Sequence, residues 1–233
     1  MSGTPRDAVL GALRRATGRD ANMAEAAAAV RTRLAAHARN TIPARGLRET
    51  QGLLELFTEQ ARGVDASVAI VDDFGAVPGA VADYLRGENL PTRLRMAPDP
   101  RLDACPWDDA PTLEITRGKG EAEDVVALTG AFAGVAETGT LMLISGPDSP
   151  TTLNFLPDAH IVVLNAADLV GCYEDGWDRL RATGRMPRSV NFITGPSRSA
   201  DIEQTLQLGA HGPRWLHIVV VAGGAATKDP GDG

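Results

Sequence analysis

From Ser67 to Val221 short apolar runs alternate with amphipathic stretches, and that alternation restricts the fold more than any other feature of the chain. The runs are Ser67–Val71, Thr92–Met96, Leu113–Thr116, Val125–Leu128, Thr140–Ile144, Ile161–Leu164, Val190–Ile193 and Trp215–Val221. A strand that is apolar on both faces needs cover on both sides, which a parallel sheet with crossover helices provides. Between the first two runs, Asp72 and Asp73 can cap a helix whose stripe is Phe74, Val77, Val81 and Leu85, and Gly87 suits its stop. The spacing is that of a right-handed strand–helix–strand unit. Further helices are predicted at Tyr173–Thr183 and Ala200–Leu208, and the Pro/Asp-rich stretch Ala97–Ala110 reads as a long surface loop. The expected class is α/β, a Rossmann-like parallel sheet with helices on both faces.

Ahead of this core the pattern is helical. Leu47–Ala61 places Leu47, Leu54, Phe57 and Ala61 on one side, and Met23, Ala27, Val30, Leu34 and Ala38 recur at three- and four-residue steps. Asp20 is a candidate N-cap for the earlier helix, and Pro43 with Gly46 ends the pattern. The expected organisation is therefore a helical arm over residues 1–46, an α/β domain over 47–222 and a flexible Gly-rich tail over 223–233. The arm packs on the main body or on a neighbouring subunit in this reading, which offers a route to a homo-oligomer.

Charge and cysteine content narrow the partners. With 23 basic and 30 acidic residues among 233, the net charge of −7 argues against general affinity for nucleic acid or an anionic membrane. Cys105 and Cys172 lie far apart, outside any C-x-x-C, so this chain cannot ligate an iron–sulfur cluster or a four-thiolate zinc on its own. The expectation is a cytoplasmic protein without targeting segment, membrane span, metal or cofactor.

Three segments stand out chemically. In Gly134-Val135-Ala136-Glu137-Thr138-Gly139-Thr140, Gly139 permits a tight turn, Thr138 and Thr140 offer hydroxyls, and Glu137 is a lone charge in apolar surroundings, suited to acid–base or nucleophilic work. A turn between two strands with Glu137 facing water explains the same residues. In Thr194-Gly195-Pro196-Ser197-Arg198-Ser199-Ala200-Asp201, two hydroxyls and a guanidinium follow a strand and precede the expected helix, a favourable place to hold an oxyanion. An ordinary Ser-capped helix with an acidic first turn accounts for them equally. In Gly209-Ala210-His211-Gly212-Pro213, Gly209 suits a helix stop and His211 is a candidate proton carrier. No nucleophile elbow, Walker loop or dinucleotide fingerprint is present in the sequence.

Together these words, with Leu156-Pro157-Asp158-Ala159-His160-Ile161 between them, resemble the lactate utilization protein C family and its LUD domain in order and spacing. The resemblance is dense from Val125 to Val221. It implies a fold similar to the sugar-phosphate isomerase and coenzyme A transferase group. It also implies a role in oxidising L-lactate to pyruvate beside iron–sulfur partner subunits, with this chain as the cluster-free member. One departure is the segment Gly146–Thr152, which carries no basic residue where the family often does. The site implied for a small organic acid takes Glu137 and His211 as catalytic groups. Its binding groups are Thr138, Gly139, Thr140, Gly195, Ser197, Arg198, Ser199, Asp201 and Gly212, all expected around one cavity. The alternative is a freestanding isomerase- or coenzyme A transferase-like enzyme acting on an acyl or sugar-phosphate substrate through Glu137.

Overall fold

A computed structural model describes residues 4–17, 23–201, 205–208 and 211–223. The chain divides into two compact units, Met1–Thr41 and Ile42–Gly233. The first holds helices α1 (Pro5–Ala16) and α2 (Met23–Ala36). Thr4 and Asp7 close a reciprocal capping box at the start of α1, satisfying two backbone N–H groups that the helix leaves unpaired. Asp20 lies outside the described residues.

The second unit opens with α3 (Thr50–Gly63), β1 (Ser67–Val71), α4 (Val77–Gly87) and β2 (Arg93–Met96). A short helix α5 (Pro100–Asp103) then leads to β3 (Glu114–Arg117) and β4 (Val126–Gly130). With β7 (Ala159–Asn165) and β12 (Trp215–Val221) these strands form a six-stranded, wholly parallel sheet in the order β1-β12-β7-β4-β2-β3. Strand pleating sends alternate residues to opposite faces. Val219, Val221, Ile161 and Val163 join Val77, Val81 and Leu85 of α4 on one face. Ile218, Val220, Val162 and Leu164 join Leu54, Phe57 and Ala61 of α3 on the other.

The α3 face carries a second sheet. β5 (Ala133–Val135), β6 (Thr140–Ile144), β8 (Leu169–Val170) and β9 (Val190–Ile193) pair in the order β8-β5-β6-β9. The β5–β6 and β6–β9 pairs are antiparallel, so the apolar run at Thr140–Ile144 is not a member of the parallel sheet. Leu141 and Leu143 face the main sheet, whereas Met142 and Ala133 turn outward to Leu180 of α6 (Tyr173–Ala182).

Two expectations change. The segment expected as a helix from Ala200 to Leu208 is a hairpin of β10 (Arg198–Asp201) and β11 (Thr205–Leu208), paired antiparallel. Leu206-Gln207-Leu208 alternates with period two, and that strand signal outweighs the acidic residues that look like a helix's first turn. Ile202, Glu203, Gly209 and the tail from 224 onward lie outside the described residues. The stretch Ala97–Ala110 is packed rather than a surface loop. Leu102 and Cys105 are buried in the α4-face core, Asp99 is only 4% exposed, and the Trp107 indole donates to the Leu102 carbonyl at 2.7 Å.

The β5–β6 turn depends on Gly139, whose φ is +65°. A Cβ there would lie 2.2 Å from the Ala61 nitrogen and 2.6 Å from its Cα, backbone atoms that cannot move aside. Gly139→Ala is accordingly expected to lower stability by on the order of 2–4 kcal/mol in urea unfolding.

Two histidines are buried in the main sheet. His160 bonds Thr129 through Nε2 at 2.8 Å, and burial pushes its pKa down to about 3. His217 meets the Ser67 hydroxyl at 2.8 Å and stacks on Tyr84 at 3.9 Å, and burial lowers it to about 4. The unfolded chain takes up protons at both near pH 6.5, whereas the folded chain does not until those lower values. Stability is therefore full above about pH 6.5 and lost as pH falls below it, by up to about 1.4 kcal/mol per pH unit for each histidine. Urea midpoints measured from pH 7 to pH 5 are expected to fall, and His217→Gln to flatten the decline.

Candidate functional site

Three hydroxyls converge on Thr140, the first residue of β6. Its Oγ1 lies 2.7 Å from Thr138 Oγ1, 2.9 Å from the Tyr173 hydroxyl and 2.6 Å from Thr194 Oγ1. Thr138 Oγ1 donates to the same tyrosine at 3.1 Å. The β5–β6 turn supplies Thr138 and Thr140, the first residue of α6 supplies Tyr173, and the residue after β9 supplies Thr194. Phe192 holds the Tyr173 ring edge-on with centroids 5.2 Å apart. Thr140 is fully buried while Thr194 is exposed, so the network runs from the interior to the surface. Each hydroxyl has one proton and two lone pairs, so such a cluster can turn donors or acceptors toward a bound carboxylate or alcohol.

Glu137, 5% exposed, sits behind this cluster. Its Oε1 accepts the Tyr173 backbone N–H at 3.3 Å, at the start of α6. An unpaired backbone donor and the positive end of the helix dipole both favour a carboxylate there. Its own N–H donates to the Gly171 carbonyl at 3.2 Å.

The other two motif segments meet beside α3's carboxyl end. Gly195 is buried against Val64, and Arg198 pairs with Asp65. Ser197 donates its N–H to the Pro213 carbonyl at 2.8 Å and accepts the His211 N–H on Oγ at 3.3 Å. Gly212 lies against Ser197, and the His211 side chain is exposed. Ser199 and Asp201 pair through β10 with Gln207 and Thr205, and their side chains lie outside the description. The Thr140–Thr194 bond joins this group to the hydroxyl cluster. The acid, guanidinium and imidazole nevertheless take separate partners. Among the described residues no hydrogen bond or ion pair joins Glu137 to Arg198 or His211.

Val64 and Asp65 precede β1 and Pro213 precedes β12, which puts Gly195–Arg198 and His211–Gly212 at the amino end of the parallel strands. The carboxyl end carries a different group. The chain leaves β2 outward to β3, returns past it to β4 and continues inward to β7, which makes the β2/β4 boundary a topological switch point. There the Arg101 guanidinium grips the Asp99 carboxylate at 2.6 Å and donates to the Ala131 carbonyl at 2.8 Å. Burial disfavours the Arg101 charge, but Asp99, Asp168 and Asp148 outweigh it and hold its pKa above the ordinary value. A Cβ on Gly130 would come within 2.5 Å of Asp99 Oδ2, so glycine is what admits the pair. The remaining crevice is about 10 Å³, room for one water and too little for an organic acid. Among the described residues, no group of histidine, cysteine or acidic side chains is placed to hold a metal ion.

Tyr173, Asp99 and Arg101 escape the sequence reading, and Thr194 enters it as the first residue of its segment but not as a binding group. The tyrosine looks like any helix-start residue, and only the turn of β5 onto β6 brings it to Thr140. Thr194 could have been named a binding group, because it adjoins Gly195 at a strand's end. Asp99 and Arg101 were hidden by a proline-rich context that reads as solvent-exposed.

Residues 114–221 match the LUD domain family. Lactate utilization protein C of Bacillus subtilis (strain 168) is 36% identical over 127 residues, covering 50% of this chain and 53% of that one. Its counterpart from Halalkalibacterium halodurans is 39% identical over 119 residues, covering 49% and 51%. An uncharacterised protein of Neisseria meningitidis serogroup B reaches 41% over 95 residues, 40% of each chain. The chain thus spans about half the length of the curated relatives it matches, or less. The crystal structure of a DUF162 family protein from Deinococcus radiodurans superposes with a TM-score of 0.57 at 25% identity, covering 75% of this chain and 99% of that one. The matched segment runs from β3 through β12 and contains all four residues of the hydroxyl cluster, so this part of the chain is similar to the LUD domain and to lactate utilization protein C.

Proposed function

We propose that this protein is a cluster-free component of an L-lactate utilization system, acting in the cytoplasm beside iron–sulfur partner subunits. Its α/β domain, residues 47–222, receives a small hydroxy- or keto-acid anion at the Thr138–Thr140–Tyr173–Thr194 cluster. The arm at 1–46 is left as a surface for assembly. The observation that carries this reading is the four-hydroxyl network itself, lying within the LUD segment and opening to the surface at Thr194. L-Lactate presents a carboxylate and an adjacent alcohol, and pyruvate a carboxylate and a ketone. Rotating hydroxyls can serve either member of the pair, because each can donate or accept. The oxidation releases two electrons and two protons. Two separated cysteines are too few to hold a cluster, so in this reading the electrons pass to clusters held by the partners and the protons to solvent. No step requires Glu137 to attack substrate. Its engagement at the α6 start supports a positioning role, in which it holds Tyr173 against Thr140.

Deleting the gene should abolish growth on L-lactate, and a Tyr173→Phe/Thr140→Val copy should restore it poorly while still co-purifying the partners. Undiminished growth of the deletion strain would overturn the assignment to lactate utilization. Titration calorimetry with L-lactate and with pyruvate tests the pocket separately. The double variant should bind at least roughly tenfold more weakly, as expected when the cluster loses two of its four hydroxyls. Equal binding by both proteins would move the ligand elsewhere. Glu137→Ala should cost about 1–2 kcal/mol of stability by unpairing the start of α6, and Glu137→Gln much less.

A further inference from the structure

β1 is an edge strand of the main sheet, and its outer side is unusual. Ile70 is 49% exposed, and beside it a groove of about 540 Å³ runs between the strand and α3. The groove is lined by Leu54, Glu55, Thr58, Glu59, Arg62 and Ile70. Thr58 is only 7% exposed, and its hydroxyl has no hydrogen-bond partner. Val71 and Asp72 turn their carbonyls to the chain after β12, accepting from Ala222 and Gly223. By alternation the Val68 and Ile70 backbone groups point away from the sheet. Arg62 is the group that reaches the Val68 carbonyl, at 3.0 Å. An apolar edge of this kind, with a buried unpaired hydroxyl beside it, is a template for another strand.

The α3 stripe is self-complementary. Glu55, Thr58, Glu59 and Arg62 follow one another at helical spacing along one face. A two-fold axis perpendicular to the sheet, passing between Thr58 and Glu59, sets Glu55 opposite Arg62 of the partner subunit and Thr58 opposite Glu59 of the partner subunit. The first is a charge pair. The same axis must cross β1, and the heights agree. From the α3–β1 turn, the helix midpoint between 58 and 59 stands about 7 Å up at 1.5 Å per residue. Ala69 stands about 7 Å up from Ser67 at 3.3 Å per residue. An axis through Ala69 pairs Val68 antiparallel with Ile70 of the partner subunit once Arg62 leaves the Val68 carbonyl for Glu55 of the partner subunit, joining the outward-facing backbone groups and covering the exposed isoleucine. The two estimates agree with a single axis.

We propose that a second copy of this chain binds edge to edge along β1 and α3, making one continuous twelve-stranded sheet across an isologous interface. The test is the solution mass of the full-length protein, by light scattering coupled to size exclusion at micromolar concentration. The expected value is twice 24.5 kDa. Ile70→Asp, Glu55→Arg and Arg62→Glu should each raise the dimer dissociation constant by roughly 30-fold or more. The double variant Glu55→Arg/Arg62→Glu should recover the dimer, because the swapped charges meet again across the axis, and its recovery excludes misfolding as the cause of the single losses. A monomeric wild type overturns the proposal. So does a dimer indifferent to these variants, or one abolished instead by Leu34→Asp in the arm.

Discussion

The fold rests on β7 and β12, adjacent interior strands that bury aliphatic side chains on both faces. Neither can be left with a face in water: each buried aliphatic side chain would forfeit about 1.5–3 kcal/mol of transfer free energy. Cover is therefore obligatory on both sides, and the chain supplies it asymmetrically. One face receives α4 and the packed segment after β2. The other receives α3 and the inner face of the second sheet, with α6 stacked outside it.

That asymmetry places the site. The second sheet must approach the main one closely, and its β5–β6 turn ends with Gly139 directly on the backbone of α3's last turns. The same helix end receives Gly195 at Val64 and Arg198 at Asp65. α3 is therefore the common support that brings segments fifty residues apart within hydrogen-bonding distance at Thr140 and Thr194. Its buried stripe closes the core while its opposite stripe carries the charges at the sheet edge. A single helix thus links the interior, the hydroxyl cluster and the outer groove.

Much of this was legible in the sequence, for definite reasons. β1, β6, β9 and β12 fall where the apolar runs end, because Gly, Pro or Asp bounds each run. Local pattern does not report which sheet a strand joins, so Thr140–Ile144 looked like one more parallel member. Acidic residues after Ser199 imitate a helix start, and only the alternation at Leu206–Leu208 betrays the hairpin. At the site, the residues of the Glu137–Thr140 and Gly195–Arg198 stretches could be named from composition. Their partners could not, because Tyr173 and Asp65 are met only through tertiary contact.

The distribution of charge between the two ends of the sheet bears on what each can do. At the carboxyl end, the place where open α/β sheets usually bind ligands, Arg101 is already spent on Asp99, and Asp168 and Asp148 add negative charge. An incoming carboxylate would have to displace a buried carboxylate already 2.6 Å from the guanidinium, and it would enter an acidic field. At the amino end the polar atoms around Thr140 are neutral hydroxyls, and the one buried carboxylate is turned away to a helix start. A small acid meets weaker attraction there but no repulsion to overcome. Such a site would hold a small acid weakly and release it readily.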